Sequence, residues 1–102
     1  MKVVWSNYAQ ERVMEISLRI SADNLVAAQQ WVNDIFDKTK ALSNFPDMGR
    51  KVPEIKRFNV RELLFGNYRI IYHCNYLTQE VTVLTVRHVK QQLPIDEIKG
   101  QI

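Results

Sequence analysis

Apolar residues along the chain change their spacing twice, and each change marks a border between elements. Val3 to Trp5 is a short run of β-prone side chains, and Ser6 follows where a helix N-cap would stand, its hydroxyl able to accept a free first-turn amide. Ala9, Val13, Ile16 and Ile20 then recur at helical spacing and line one face, while Gln10, Arg12, Glu15 and Arg19 take other faces. Ser21 to Asn24 breaks the pattern. Leu25, Ala28, Val32, Ile35, Thr39 and Leu42 resume it with the clearest periodicity in the chain. Two helices so closely joined predict an antiparallel hairpin.

The helical spacing ends in Asn44-Phe45-Pro46-Asp47-Met48-Gly49-Arg50, where proline and glycine exclude a regular element, and Pro53 prolongs the irregular stretch. Strand patterning returns at Val60 to Phe65 and at Tyr68 to Cys74, with Gly66-Asn67 between them as a two-residue hairpin turn. A third strand is predicted from about Glu80 to Arg87. That turn sets Phe65 opposite Tyr68, Leu63 opposite Ile70 and Arg61 opposite Tyr72. One sheet face then carries Arg61, Leu63, Phe65, Tyr68, Ile70, Tyr72 and Cys74 and is the expected core. The other carries Val60, Glu62, Leu64, Arg69, Ile71 and His73, and is expected to be partly open to solvent or covered by a partner. Residues 89–102 hold either a short helix over Pro94 to Lys99 or a flexible tail, and removing the chain beyond Leu93 is expected to spare folding.

The order β-α-α-β-β-β predicts an α+β fold, a helical hairpin packed on one face of a small antiparallel sheet that the first strand joins. At 102 residues and 46% hydrophobic content, residues 1–102 are expected to form one domain around a modest core. No apolar stretch is long enough to cross a bilayer and the start Met-Lys-Val-Val-Trp lacks a signal-peptide core, so a cytoplasmic protein is expected. The single cysteine, Cys74, cannot form an internal disulfide and reads as packing; neither a metal nor a cofactor is expected.

Charge is unevenly spread. Residues 1–40 hold five cations and five acids, whereas residues 41–93 hold eight cations (Arg50, Lys51, Lys56, Arg57, Arg61, Arg69, Arg87 and Lys90) against four acids. Such a half suits an acidic partner or a phosphate backbone, or is simply a solvated basic face. Arg61, Arg69 and Arg87 interrupt apolar strand patterns and so must reach solvent, a bound anion, or a carboxylate such as Glu62 or Glu80. Trp5 and Trp31 read as core or seam residues. No glycine-rich phosphate loop, paired catalytic carboxylates or Ser/His/Asp triad can be assembled.

The run Asn44 to Arg50, followed by Val60-Arg61-Glu62-Leu63, Gly66-Asn67-Tyr68-Arg69-Ile70-Ile71-Tyr72 and Val83-Leu84-Thr85-Val86-Arg87-His88, resembles the RelE/ParE toxin superfamily of type II toxin–antitoxin and plasmid-stabilisation systems. The resemblance covers most of the chain. It implies a compact toxin held inactive by an antitoxin whose C-terminal segment wraps over it. RelE-like members cleave messenger RNA on the ribosome; ParE-like members bind DNA gyrase and trap its cleaved DNA. RNA cleavage needs an acid, a base and cations around the phosphate. Here Arg69 matches one family arginine and Lys90 falls near another. Val60 and Glu62, however, stand where the ribonuclease branch has two strand lysines, Asp96 falls near its C-terminal tyrosine, and no tyrosine follows Tyr76.

The resemblance therefore implies the ParE-like branch, a growth-inhibiting toxin that binds gyrase and is not itself an enzyme. Arg61, Arg69, Arg87, His88 and Lys90 are the candidates for contacting target or antitoxin. The rival readings are a ribosome-dependent messenger RNA endonuclease and an inactive relative that only binds an antitoxin. For the ribonuclease, Arg69, His88, Lys90 and Glu54 are the candidate catalytic residues, His88 as acid and Glu54 as base. The plainer reading of His88 is a strand-end histidine bonded to a backbone carbonyl.

Overall fold

The computed structural model describes residues 1–56 and 58–102, so that Arg57, one of the eight cations, lies outside the described residues. Strand β1 (Lys2–Trp5) leads into helices α1 (Asn7–Ser21) and α2 (Leu25–Lys40), a 3₁₀ turn at Ala41–Ser43, then β2 (Arg50–Lys51), β3 (Val60–Phe65), β4 (Tyr68–Asn75), β5 (Glu80–His88) and α3 (Ile95–Gly100). Both long helices begin as their sequences ask. The Ser6 side chain accepts the Ala9 amide at 3.0 Å and the Asn24 side chain accepts that of Ala27 at 3.0 Å. Gly66 has a φ of +56°, which serves the tight β3–β4 turn.

The five strands lie in the order β1-β5-β4-β3-β2. Phe65 to Arg61 pair with Tyr68 to Tyr72 in the expected register, and β5 is antiparallel to β4. The sheet is mixed, because β1 runs parallel to β5, with Lys2 opposite Glu80 and Trp5 opposite Val83. Strand β1 stops halfway along β5, and α1 takes over the edge. The Ser6 hydroxyl donates to the Leu84 carbonyl at 3.2 Å, and Arg12 Nε donates to that of Val86 at 3.2 Å. Arg12 flanks the apolar stripe of α1 and is buried for this purpose, so the helical pattern alone does not reveal its role.

Apolar side chains fill both faces of the sheet. Ala9, Val13 and Ile16 of α1 and Ile35 of α2 meet Leu63, Ile70, Tyr72, Cys74, Val81, Val83 and Val86, with Trp5, Trp31, Phe65 and Tyr68 at the margin. On the other face Val60, Ile71 and Leu84 are covered by Val52, Ile55, Leu93 and Ile98, with Ile95 packed against them. This second core corrects two expectations. The back face is covered largely by the chain's own loop and C-terminal segment, and the tail alternative gives way to a short helix whose Ile98 has no exposed surface. Removing the chain beyond Leu93 would uncover that core, so it cannot be neutral to folding. Neither feature follows from periodicity, because the covering residues are single apolar side chains in irregular segments.

Candidate functional site

The β2–β3 register sets Arg50 opposite Glu62, and the β3–β4 register sets Leu64 opposite Arg69, so Glu62 and Arg69 are diagonal neighbours on the back face. A chain of ion pairs results. Arg50 Nε lies 2.6 Å from Glu62 Oε1, Arg69 Nε lies 2.6 Å from Glu62 Oε2, and the two Nη atoms of Arg69 each donate at 2.9 Å to the oxygens of Glu54. Glu62 is 1% exposed and Arg69 8% exposed, whereas the Arg50 side chain stands largely in solvent. Direct hydrogen bonding to Arg69 lowers the Glu54 pKa from its ordinary value against a smaller effect of burial, and Arg69, bonded first to Glu54, is held still more firmly protonated than a free arginine.

Gly49 places Arg50 at this site. Its amide donates to the Tyr72 hydroxyl at 2.9 Å, and a Cβ there would lie 2.4 Å from the Glu62 carbonyl oxygen. Only glycine lets the loop approach the sheet so closely. Burial pushes the Tyr72 hydroxyl up to about 12, keeping it a neutral acceptor for that amide.

The sequence candidates do not converge on one point. Glu54 and Arg69 meet on the back face. His88 lies opposite Tyr68, its ring edge-on to the Tyr68 ring at 5.4 Å, and Tyr68 belongs to the margin of the helix-side core. The sheet therefore stands between His88 and Glu54, and the acid–base pair considered for RNA cleavage is not assembled. His88 ends its strand as the plainer reading has it, but its Nδ1 accepts the Lys90 amide at 3.1 Å where a bond to a backbone carbonyl was expected. Lys90 is exposed in the turn after β5. Arg61 Nη1 donates to the Gly49 carbonyl at 2.8 Å, which binds it to the loop. Arg87 faces Arg69 directly across β4 and β5, and its Nε is buried with no hydrogen-bond partner among the described residues. Sequence reasoning named Glu62 as a possible partner of the strand arginines but missed that Glu54 completes the chain and that Arg50 begins it. The signal was the Gly49-Arg50 pair ahead of Pro53, readable only once β2 is known to lie beside β3.

A groove of roughly 410 Å³ opens over these pairs, lined by Arg50, Pro53, Glu54, Leu64, Arg69 and Val89. A groove of roughly 490 Å³ between α1 and α2 has Leu18, Leu25 and Val32 in its wall and no ionisable side chain, so it offers shape without chemistry. Among the described residues no group of three or more His, Cys, Asp or Glu could hold a metal, and no helix is long and apolar enough to cross a membrane.

The fold is similar to that of a chain from the chromosomal ParDE toxin–antitoxin system of P. aeruginosa, with a TM-score of 0.71 and 19% identity over 86% of this chain and 95% of that one. It is also similar to a chain of the RelBE2 toxin–antitoxin complex of Mycobacterium tuberculosis, with a TM-score of 0.53 and 20% identity over 85% of this chain and 88% of that one. At these identities the likeness is one of fold. No curated protein gives a match at the level of sequence. The chain belongs to the family described as ParE toxin of the type II toxin–antitoxin system, parDE, whose profile matches residues 3–93.

Proposed function

We propose that the protein arrests growth by binding DNA gyrase, and that a cognate antitoxin, encoded beside it, neutralises it by covering the back face. The match to the ParE family over residues 3–93 carries this reading. The back face supports it. A ribonuclease of the RelE kind needs cations free to meet a phosphate, yet the two positions of its strand lysines hold Val60 and Glu62, both buried, and Arg69 is already bound by two carboxylates. A protein that acts by holding its target needs exposed contact residues instead, and Arg50, Lys51 and Lys90 are exposed on this half, with Arg61 and Arg87 half-buried.

Induction in a bacterium is expected to stop growth with a DNA-damage response, and co-expression of the adjacent small reading frame is expected to restore growth and yield a co-purifying complex. Growth unaffected by induction, or a neighbour that neither binds nor rescues, would sink the proposal. Messenger RNA from induced cells should show no codon-dependent cuts by primer extension; cuts that disappear in Arg69→Ala would move the protein to the ribonuclease branch.

A further inference from the structure

The chain Arg50–Glu62–Arg69–Glu54 contains two guanidinium groups and two carboxylates, and the carboxylates are not equivalent. Glu62 is buried with an arginine on each oxygen, so it cannot leave without opening the sheet. Glu54 keeps 39% of its side-chain surface exposed. It stands on a turn closed by the Ile55 amide donating to the Val52 carbonyl at 3.1 Å, and Val52 and Ile55 on either side are anchored in the back-face core. Rotation of the Glu54 side chain alone can therefore release Arg69 while the turn stays in place.

A second groove of roughly 290 Å³ shares Pro53 and Glu54 with the first, so the two run into one another. Among the described residues Glu54 is the only acid in their walls, against Arg50, Arg69, Lys56 and Lys99. Leu64, Val89 and Phe58 stand in the same walls about half exposed. Phe58 has a φ of 70°, a left-handed conformation that costs a bulky side chain energy.

The geometry points to this double groove as the seat of an extended acidic peptide segment of a partner, one of whose carboxylates takes Arg69 over from Glu54. It rests on the antitoxin reading above and gives that partner a place and a mode of binding. Glu54 is then an internal stand-in that keeps Arg69 paired until the partner arrives. With Glu54 turned away, Arg50, Glu62 and Arg69 carry one net positive charge, the match for one carboxylate in the bidentate geometry Arg69 already uses. Nucleic acid fits less well. Glu62 is fixed behind Arg69 and opposes closely spaced phosphates, and the apolar walls suit alternate peptide side chains.

The test uses the full chain and fluorescence anisotropy with a labelled peptide of alternating glutamate and leucine, its glutamine counterpart, and a labelled single-stranded oligonucleotide. Glu54→Gln is expected to bind the glutamate peptide about ten-fold more tightly than the wild type. The glutamine peptide should gain nothing, and Asp34→Asn, which removes an exposed acid of α2 on the helix side of the sheet, should leave affinity near the wild-type value. Adding Arg69→Lys to Glu54→Gln should abolish the gain, since lysine cannot form the paired bonds. If that double variant does not fold, Val89→Ser takes its place and should weaken the peptide in the Glu54→Gln background.

Unchanged or weaker peptide binding by Glu54→Gln overturns the inference, as does an equal gain in Asp34→Asn or a larger gain for the oligonucleotide than for the peptide. Because the probes are synthetic, failure here leaves the toxin reading standing, and a chain that fails to arrest growth leaves the groove standing.

Discussion

A carboxylate as deeply buried as Glu62 is tolerated only while its charge is matched, and Arg50 and Arg69 match it from either side at 2.6 Å. Glu62→Ala leaves Arg69 buried with half its partners gone, and the loss of stability in urea is expected to be about 3–5 kcal/mol. Gly49→Ala should cost about 1–3 kcal/mol by a different route, since the new Cβ meets the Glu62 carbonyl and drives the β2 loop off the sheet. Tyr72→Phe, which keeps the volume and removes the acceptor of the Gly49 amide, separates the two causes: it should disturb the loop without a steric clash. Glu54 acts through pH. Its pKa is lower in the folded chain than its ordinary 4.5, so the stability it contributes is present above that value and is lost as pH falls through the lower folded value. Urea midpoints measured from neutral pH downward should decline in that acid range, and the decline should be shallower in Glu54→Gln; an identical profile would mean that the Arg69 pair adds nothing to folding.

Among the elements, α3 is the one whose weight the sequence conceals. Six residues behind a proline look dispensable, yet Ile98 is fully buried against the back-face core. Ile98→Ala should lower stability by about 2–5 kcal/mol. Truncation after Leu93 should lower it at least as far while leaving a cooperative transition, because the helix-side core does not involve α3. A truncated chain as stable as the full one would show that α3 is loosely held. The elements that were legible share a reason: α1, α2 and the β3–β4 hairpin are encoded by local periodicity, by Ser6 and Asn24, and by Gly66. The parallel pairing of β1 with β5 depends on partners 78 positions away and the two residues of β2 on partners 10 and 12 positions away, and no local pattern carries either. The candidate site divides in the same way. Arg69 stood out as a charge in an apolar strand with Glu62 as one possible partner, but its fixation by Glu54 as well became visible only when three segments were brought together.

For the molecule as a whole, the two faces divide the work. The helix side holds the larger core and an uncharged outer groove, and the back face carries the arginine–carboxylate chain, with the exposed cations Arg50, Lys56 and Lys99 in its grooves. Membership of the ParE family and the burial of Val60 and Glu62 both favour a protein that holds its target over one that cuts it. The most direct test is DNA supercoiling by purified gyrase, with the refolded or antitoxin-released chain added in excess. Supercoiling should be inhibited and cleaved DNA should accumulate with gyrase attached. If supercoiling proceeds unchanged while the same preparation cuts messenger RNA on translating ribosomes, the central claim is contradicted.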